Sequence, residues 1–125
     1  MLVVLMFLIT SSYINAQQEN ILVSPKEAFK LITNDTNIVI LDVRTIKEFN
    51  SETGKLKGAI LLPVNELDDR IKELDQFKER HIIVYCRTGH RSGIASKILS
   101  KHGFKVFNIE GGINRWKEEQ LPVLK

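Results

Sequence analysis

Apolar residues fall along the chain in short bursts separated by polar stretches, and the spacing within each burst predicts an element. Ile38-Val39-Ile40-Leu41 and Ile82-Ile83-Val84-Tyr85 are unbroken runs, the pattern of strands buried on both faces of a parallel sheet. Ile21-Leu22-Val23 predicts a short edge strand, and Ala59-Ile60-Leu61-Leu62 another that Pro63 ends. Phe104-Lys105-Val106-Phe107-Asn108-Ile109 alternates as a fifth strand. Helices fit between them. Ser24-Pro25 reads as N-cap and first helical position for Lys26–Ile32, and Asn34-Asp35 ends that helix. Thr45 caps a short helix through Lys47-Glu48-Phe49. Asn65 is expected to cap a longer one whose buried face carries Leu67, Ile71, Leu74 and Phe77, with the surrounding charges on its solvated face. Ile94, Ala95, Ile98 and Leu99 have the spacing of one helix face, and Lys101-His102-Gly103 closes that helix. A last helix carries Ile113 and Trp116, with Trp116 expected in the core, and stops before Leu121-Pro122.

Alternating strands and helices predict one α/β domain, a small, mainly parallel five-stranded sheet flanked by helices on both faces. Right-handed crossovers then bring the ends of the Ile38–Leu41 and Ile82–Tyr85 strands together. Asp42, Arg44 and Cys86 follow those strands and are expected to gather near one site.

The amino-terminal segment stands apart from this alternation. Leu2–Ile9 is an unbroken apolar run, far short of the roughly 20 residues that cross a bilayer but suited to the core of a signal peptide. The polar shoulder after it and Ala16 predict a signal peptide over residues 1–16 and a mature domain over 17–125, exported to a periplasmic or extracellular space. No stable membrane span is expected after cleavage. A buried first strand or an uncleaved anchor is the competing reading of the same run.

Composition narrows the class. The chain has 125 residues, 43% hydrophobic and 26% charged, as expected of one globular domain. Its net charge of +3 comes without a basic block, which argues against a nucleic-acid partner. The single cysteine excludes an intramolecular disulfide, and His81, His90 and His102 lack ligand spacing with it, so no metal or other cofactor is expected.

Cys86 ends a predicted strand and precedes Arg87-Thr88-Gly89-His90-Arg91-Ser92, a basic turn that feeds a helix N-terminus. Free backbone N–H donors and nearby cations stabilise a thiolate at such a place. An inert cysteine packed as a small hydrophobe is the alternative, and the basic, glycine-containing turn argues against it. Gly89 permits the backbone to curl inward around an anion. Arg87 and Arg91 suit an anionic donor, while Thr88 and Ser92 offer hydroxyl donors, with Ser92 also placed to cap the helix. His90 reads equally as a pH-sensitive cation or a solvated loop residue. Asp42 suits a strand-end cap and Arg44 a pairing with Glu48 four residues on, so both are expected to support the site rather than react.

Taken in order, Leu41-Asp42-Val43-Arg44 with Glu48-Phe49, Gly58-Ala59-Ile60 with Leu62-Pro63, the Cys86–Ser92 loop, Glu110-Gly111-Gly112 with Trp116, and Leu121-Pro122-Val123 resemble a single-domain rhodanese, a thiosulfate-type sulfurtransferase of exported type. The resemblance runs from about Ile21 to Val123. One departure is visible, Gly54-Lys55-Leu56 where the family usually has Gly-His-Ile, and it is expected to change only the surface. The resemblance implies a ping-pong reaction in which Cys86 takes sulfane sulfur from thiosulfate or a related small anion and passes it, as a persulfide, to a thiol or cyanide acceptor. With no second cysteine, an outside molecule must accept the sulfur; a monomer is expected. Two other readings remain beside it. A non-catalytic persulfide carrier or partner-binding module is one. A cysteine phosphatase or arsenate reductase is the other, against which four residues rather than five separate Cys86 from Arg91.

Overall fold

The computed structural model describes residues 20–125, so the apolar run Leu2–Ile9 and the expected signal peptide over residues 1–16 lie outside the described residues. Five strands, β1 (Asn20–Val23), β2 (Val39–Asp42), β3 (Ile60–Leu61), β4 (His81–Tyr85) and β5 (Lys105–Ile109), form one sheet in the order β1-β5-β4-β2-β3. Every pairing is parallel, with Asp42 opposite Tyr85 between β2 and β4. The helices are α1 (Pro25–Asn34), α2 (Ile46–Phe49), α3 (Leu67–Arg70), α4 (His90–Lys101) and α5 (Gly112–Glu118). The expected five-stranded α/β architecture is therefore present.

Side-chain alternation divides each central strand between two cores. Val39, Leu41, Ile82 and Val84 pack with Leu67, Leu74, Ala95 and Leu99 on the α3–α4 side. Ile40, Ile83 and Tyr85 pack with Ala28, Ile113 and Trp116 on the α1–α5 side. Each fully buried Leu or Ile contributes about 1.5–3 kcal/mol, which explains why the runs are unbroken rather than alternating.

Local signals hold at several helix ends. Ser24 and Glu27 form a reciprocal capping box at α1 with Pro25 in its first turn, and Thr45 and Glu48 do the same at α2. Asp35 caps the end of α1, His102 that of α4, and Gly103 follows with φ of 89°. Trp116 is buried in the core, and its Nε1 donates to the Pro122 carbonyl at 2.9 Å.

Three expectations about packing are corrected. The segment from Val64 to Phe77 is not one helix capped by Asn65: 3₁₀ turns over Val64–Glu66 and Ile71–Phe77 flank the single turn of α3, and Pro63 precedes them without a side-chain cap. With three residues per turn, Ile71, Leu74 and Phe77 align on one edge against the core, an alignment that a 3.6-residue period would spread. In α4 the buried stripe is Ser92, Ala95, Ser96 and Leu99, while Ile94 is exposed. The two serines are tolerated there because their hydroxyls donate to the Gly89 and Ser92 carbonyls. Leu56, expected at the surface, is 2% exposed and belongs to the α1–α5 core. Its N–H donates to Tyr85 Oη at 3.1 Å.

Candidate active site

The chain runs outward from β2 to β3, returns to β4, and then runs outward the other way to β5. The carboxyl ends of β2 and β4 therefore flank the point where the strand order reverses, the usual ligand position in open α/β sheets. Cys86 follows β4 there, with its side chain in the α3–α4 core and only 1% of the residue exposed.

The turn after Cys86 wraps its sulfur. Gly89 adopts φ of 107°, which only glycine accepts without strain, and this places its N–H 3.0 Å from Cys86 Sγ. Ser92 Oγ lies 3.4 Å from the sulfur, accepting from the Cys86 thiol while its own proton goes to the Gly89 carbonyl; once the thiol ionises, the hydroxyl can turn that proton to the sulfur. Burial pushes the Cys86 thiol up, but hydrogen bonding by Ser92 and by the backbone N–H groups of Ser92, Gly89 and Thr88 outweighs it and holds the thiol below its ordinary range. A thiolate on this sulfur is stabilised by backbone N–H donors already in place.

The loop's orientation is fixed from outside. Ile113 N–H donates to the Cys86 carbonyl at 2.9 Å, and Asn114 N–H to the Arg87 carbonyl at 3.1 Å. A trans peptide unit points its C=O and the next N–H in opposite directions. Anchoring these two carbonyls on the first turn of α5 therefore turns the N–H groups of Arg87 and Thr88 away from α5. Glycine is required at position 112, where a Cβ would stand 2.5 Å from the carbonyl oxygens of both Cys86 and Arg87.

The loop side chains part company. Arg87, Thr88 and His90 are exposed. Arg91 instead turns onto Glu48, with Nη1 to Oε1 at 2.6 Å and Nη2 to Oε2 at 2.8 Å. Arg91's hydrogen bonds and those from Thr45 hold the Glu48 carboxyl down at about 2 against the opposing effect of burial. Glu48 was expected to pair with Arg44, so this partner is a correction. Ser92 is not the helix cap either; α4 starts after Gly89, and Ser92 lies in its first turn, buried beneath the sulfur.

Asp42 and Arg44 lie one strand away as a fully buried pair, with Nη2 to Oδ2 at 2.7 Å and side-chain exposures of 0% and 1%. Arg44 continues to Thr53 Oγ1 and the Gly54 carbonyl, at 3.1 and 2.8 Å, and its guanidinium sits 5.5 Å from the centre of the Tyr85 ring. Burial alone would lower Arg44; hydrogen bonding to Asp42 and its charge more than reverse this. The pair thus fixes the turn after α2 against β2 and β4, and none of its hydrogen bonds reaches Cys86.

Two contributors to the site are not legible as such in the sequence. Gly112 and α5 present only a turn and a core helix there, and Glu48 only a local partner. Thr45-x-x-Glu48 is legible as a capping box, but the box says nothing about what meets the carboxylate's outer edge. A groove of about 420 Å³ between β1 and α1 is lined by Ile21, Leu31 and Phe107 and by no residue of the Cys86 loop. Among the described residues no three His, Cys, Asp or Glu side chains form a metal-binding group.

Comparison with known proteins agrees with this geometry. Residues 24–119 match the family model described as a rhodanese-like domain. The chain is 38% identical over 92 residues to YrkF of Bacillus subtilis, a candidate sulfur carrier; the match covers 72% of this chain and 48% of that protein, so it spans about half the relative's length. It is 31% identical over 94 residues to a sulfurtransferase of Allochromatium vinosum, covering 74% of this chain and 84% of the relative. A rhodanese-related protein from Thermoplasma volcanium superposes with a TM-score of 0.74 at 30% identity, covering 83% of this chain and 97% of that one.

Proposed function

The chain belongs to the rhodanese-like domain family, and on that premise we propose that it is a sulfurtransferase working through a Cys86 persulfide. The observation that carries the reading is the Gly89 N–H at 3.0 Å from Cys86 Sγ, in a turn whose Thr88 and Ser92 backbone N–H groups also favour the thiolate. In the first half-reaction the Cys86 thiolate attacks the outer sulfur of thiosulfate or a related donor. A new S–S bond forms, the donor's S–S bond breaks, and its electron pair leaves with sulfite. The negative charge passes to the outer sulfur of the persulfide, where backbone N–H groups of the Arg87–Ser92 turn would stabilise it. The exposed Thr88 and Arg87 offer a hydroxyl donor and a positive charge to the incoming anion, with His90 exposed beside them. In the second half-reaction an external thiol or cyanide attacks the outer persulfide sulfur and returns Cys86 to its thiolate. Cys86 is the one thiol in the chain, so resolution must be intermolecular.

A persulfide carrier that hands sulfur only to a dedicated partner is the second reading, favoured by the likeness to the candidate carrier. Phosphoryl chemistry is disfavoured because four residues separate Cys86 from Arg91 and because that arginine is already held by Glu48. The proposal also takes the protein to be exported, resting on the Leu2–Ile9 run and Ala16; amino-terminal sequencing from cells should then begin at or near Gln17.

The decisive measurement is the intact mass of the purified protein after incubation with thiosulfate. One sulfur atom should be gained, lost again on adding cyanide, and never gained by Cys86→Ser. No gain, or a gain that survives Cys86→Ser, overturns the reading; a loaded persulfide that cyanide cannot discharge favours the carrier.

A further inference from the structure

The Arg91–Glu48 pair joins α4 to α2 across 43 positions of sequence, at the edge of the loop that holds the reacting sulfur. Its geometry leaves little of Arg91's charge available. Both of the arginine's terminal nitrogens lie on Glu48 oxygens, at 2.6 and 2.8 Å. Glu48 is itself held in place, since Oε1 also accepts the Thr45 N–H at 3.2 Å and the Thr45 hydroxyl at 3.1 Å. The two side chains are 30% and 28% exposed, so water screens the pair only in part. Of the loop's two arginines, only Arg87 then presents an uncompensated charge to an incoming anion; among the described residues Arg87 makes no ion pair. A site built to bind dianions gains from converging, unpaired arginines with bidentate donors facing the ligand. Here one such fork is already spent on a carboxylate of the same chain.

We propose that Glu48 is a specificity-determining residue: by neutralising Arg91 of the Cys86 loop, it biases the site toward hydropersulfide donors of low charge and against dianionic thiosulfate. The inference rests on the sulfur-transfer reading and narrows its donor. With a hydropersulfide R–S–SH, the Cys86 thiolate bonds to the outer sulfur, and the donor's S–S bond breaks with its electron pair leaving as R–S⁻. The proton stays on the transferred sulfur. No oxidant or reductant is needed, and the leaving group carries one charge at the reacting sulfur where sulfite carries two.

Glu48→Gln is the informative variant because glutamine fills the same place in a capping box and preserves α2. Unmasking one positive charge should raise the rate of Cys86 alkylation by iodoacetate, relative to neutral iodoacetamide, about threefold, and lower the KM for dianionic thiosulfate about tenfold. The kcat for thiosulfate and the kcat/KM for cysteine hydropersulfide should move less than the thiosulfate KM. In Glu48→Gln combined with Arg91→Gln, a neutral pair replaces a neutral pair, and the alkylation ratio should return to within about twofold of the unsubstituted protein. An unchanged ratio in Glu48→Gln, or a rise that the double variant keeps, overturns the proposal and assigns Glu48 a purely structural role. The alkylation measurement requires no sulfur transfer. A shifted ratio in a protein that gains sulfur from neither donor therefore refutes the sulfur-transfer reading while leaving the charge masking by Glu48 supported.

Discussion

Gly112 lies so close under Cys86 that a Cβ on it would stand 2.5 Å from the Cys86 carbonyl oxygen. The glycine's φ of 60° is also one that side chains rarely adopt, so two independent constraints fall on one position. They bear on reactivity because the same carbonyl accepts the Ile113 N–H that helps orient the loop.

Gly112→Ala should therefore lower stability by about 2 kcal/mol or more, combining left-handed strain with a backbone contact that cannot yield freely. The folded variant should also show slower Cys86 alkylation at neutral pH, since moving the Cys86 and Arg87 carbonyls re-aims the N–H groups paired with them. Denaturant unfolding and iodoacetamide kinetics check the two effects separately. A variant that is destabilised but alkylates normally would show that α5 supports the loop without setting its orientation.

Ser92 carries a smaller, cleaner effect. Ser92→Ala removes the hydroxyl 3.4 Å from the sulfur and leaves the backbone donors in place. The thiol should titrate higher, and its alkylation near neutral pH should slow about fivefold, the equivalent of one hydrogen bond of roughly 1 kcal/mol. The pH profile of alkylation measures this, and a profile superimposable on that of the unsubstituted protein would remove Ser92 from thiolate stabilisation.

Acid stability should report the Glu48–Arg91 pair. The Glu48 carboxyl falls from an ordinary value of 4.5 to about 2 in the folded protein, chiefly through Arg91's hydrogen bonds. Below its unfolded pKa the unfolded chain binds a proton that the folded one resists. The stabilisation is therefore fully present above about pH 4.5 and is lost as pH falls toward about 2. Glu48→Gln should flatten the stability-against-pH curve in that window and leave its slope near neutral pH alone, as urea titrations at a series of pH values would reveal.

The buried Asp42–Arg44 pair predicts a stability effect without a chemical one. Asp42→Asn strands a guanidinium that is 1% exposed, with an expected cost of about 3–5 kcal/mol. The fraction that stays folded should retain its Cys86 alkylation rate, because the pair's hydrogen bonds run to Thr53 and Gly54 and not to the loop. Thermal unfolding gives the first result; a large drop in alkylation rate at full folding would place Asp42 nearer the chemistry than its contacts do.

What the sequence determined by itself is local. Unbroken apolar runs required strands covered on both sides, and Val39–Asp42 and His81–Tyr85 became two of the three inner strands of a parallel sheet. Ser24 and Thr45 capped their helices because capping depends on a donor three residues away and on little else. Cys86 followed by a glycine-containing turn was legible as a thiol at a helix N-terminus for the same reason. Tertiary structure decided everything that joins distant positions. Arg44 precedes the cap Thr45, so the helical four-residue spacing that would pair it with Glu48 never forms, and strand order delivers Arg91 to Glu48 instead. Leu56 went inside because the tail from Leu121 to Leu124 returns beside the Gly54–Leu56 turn, pairing Lys55 with Leu124. Gly112 became part of the site only when β5 placed α5 beneath the loop. Near neighbours are governed by backbone sterics and period, which a sequence displays; partners 43 residues apart depend on sheet order and register, which it does not.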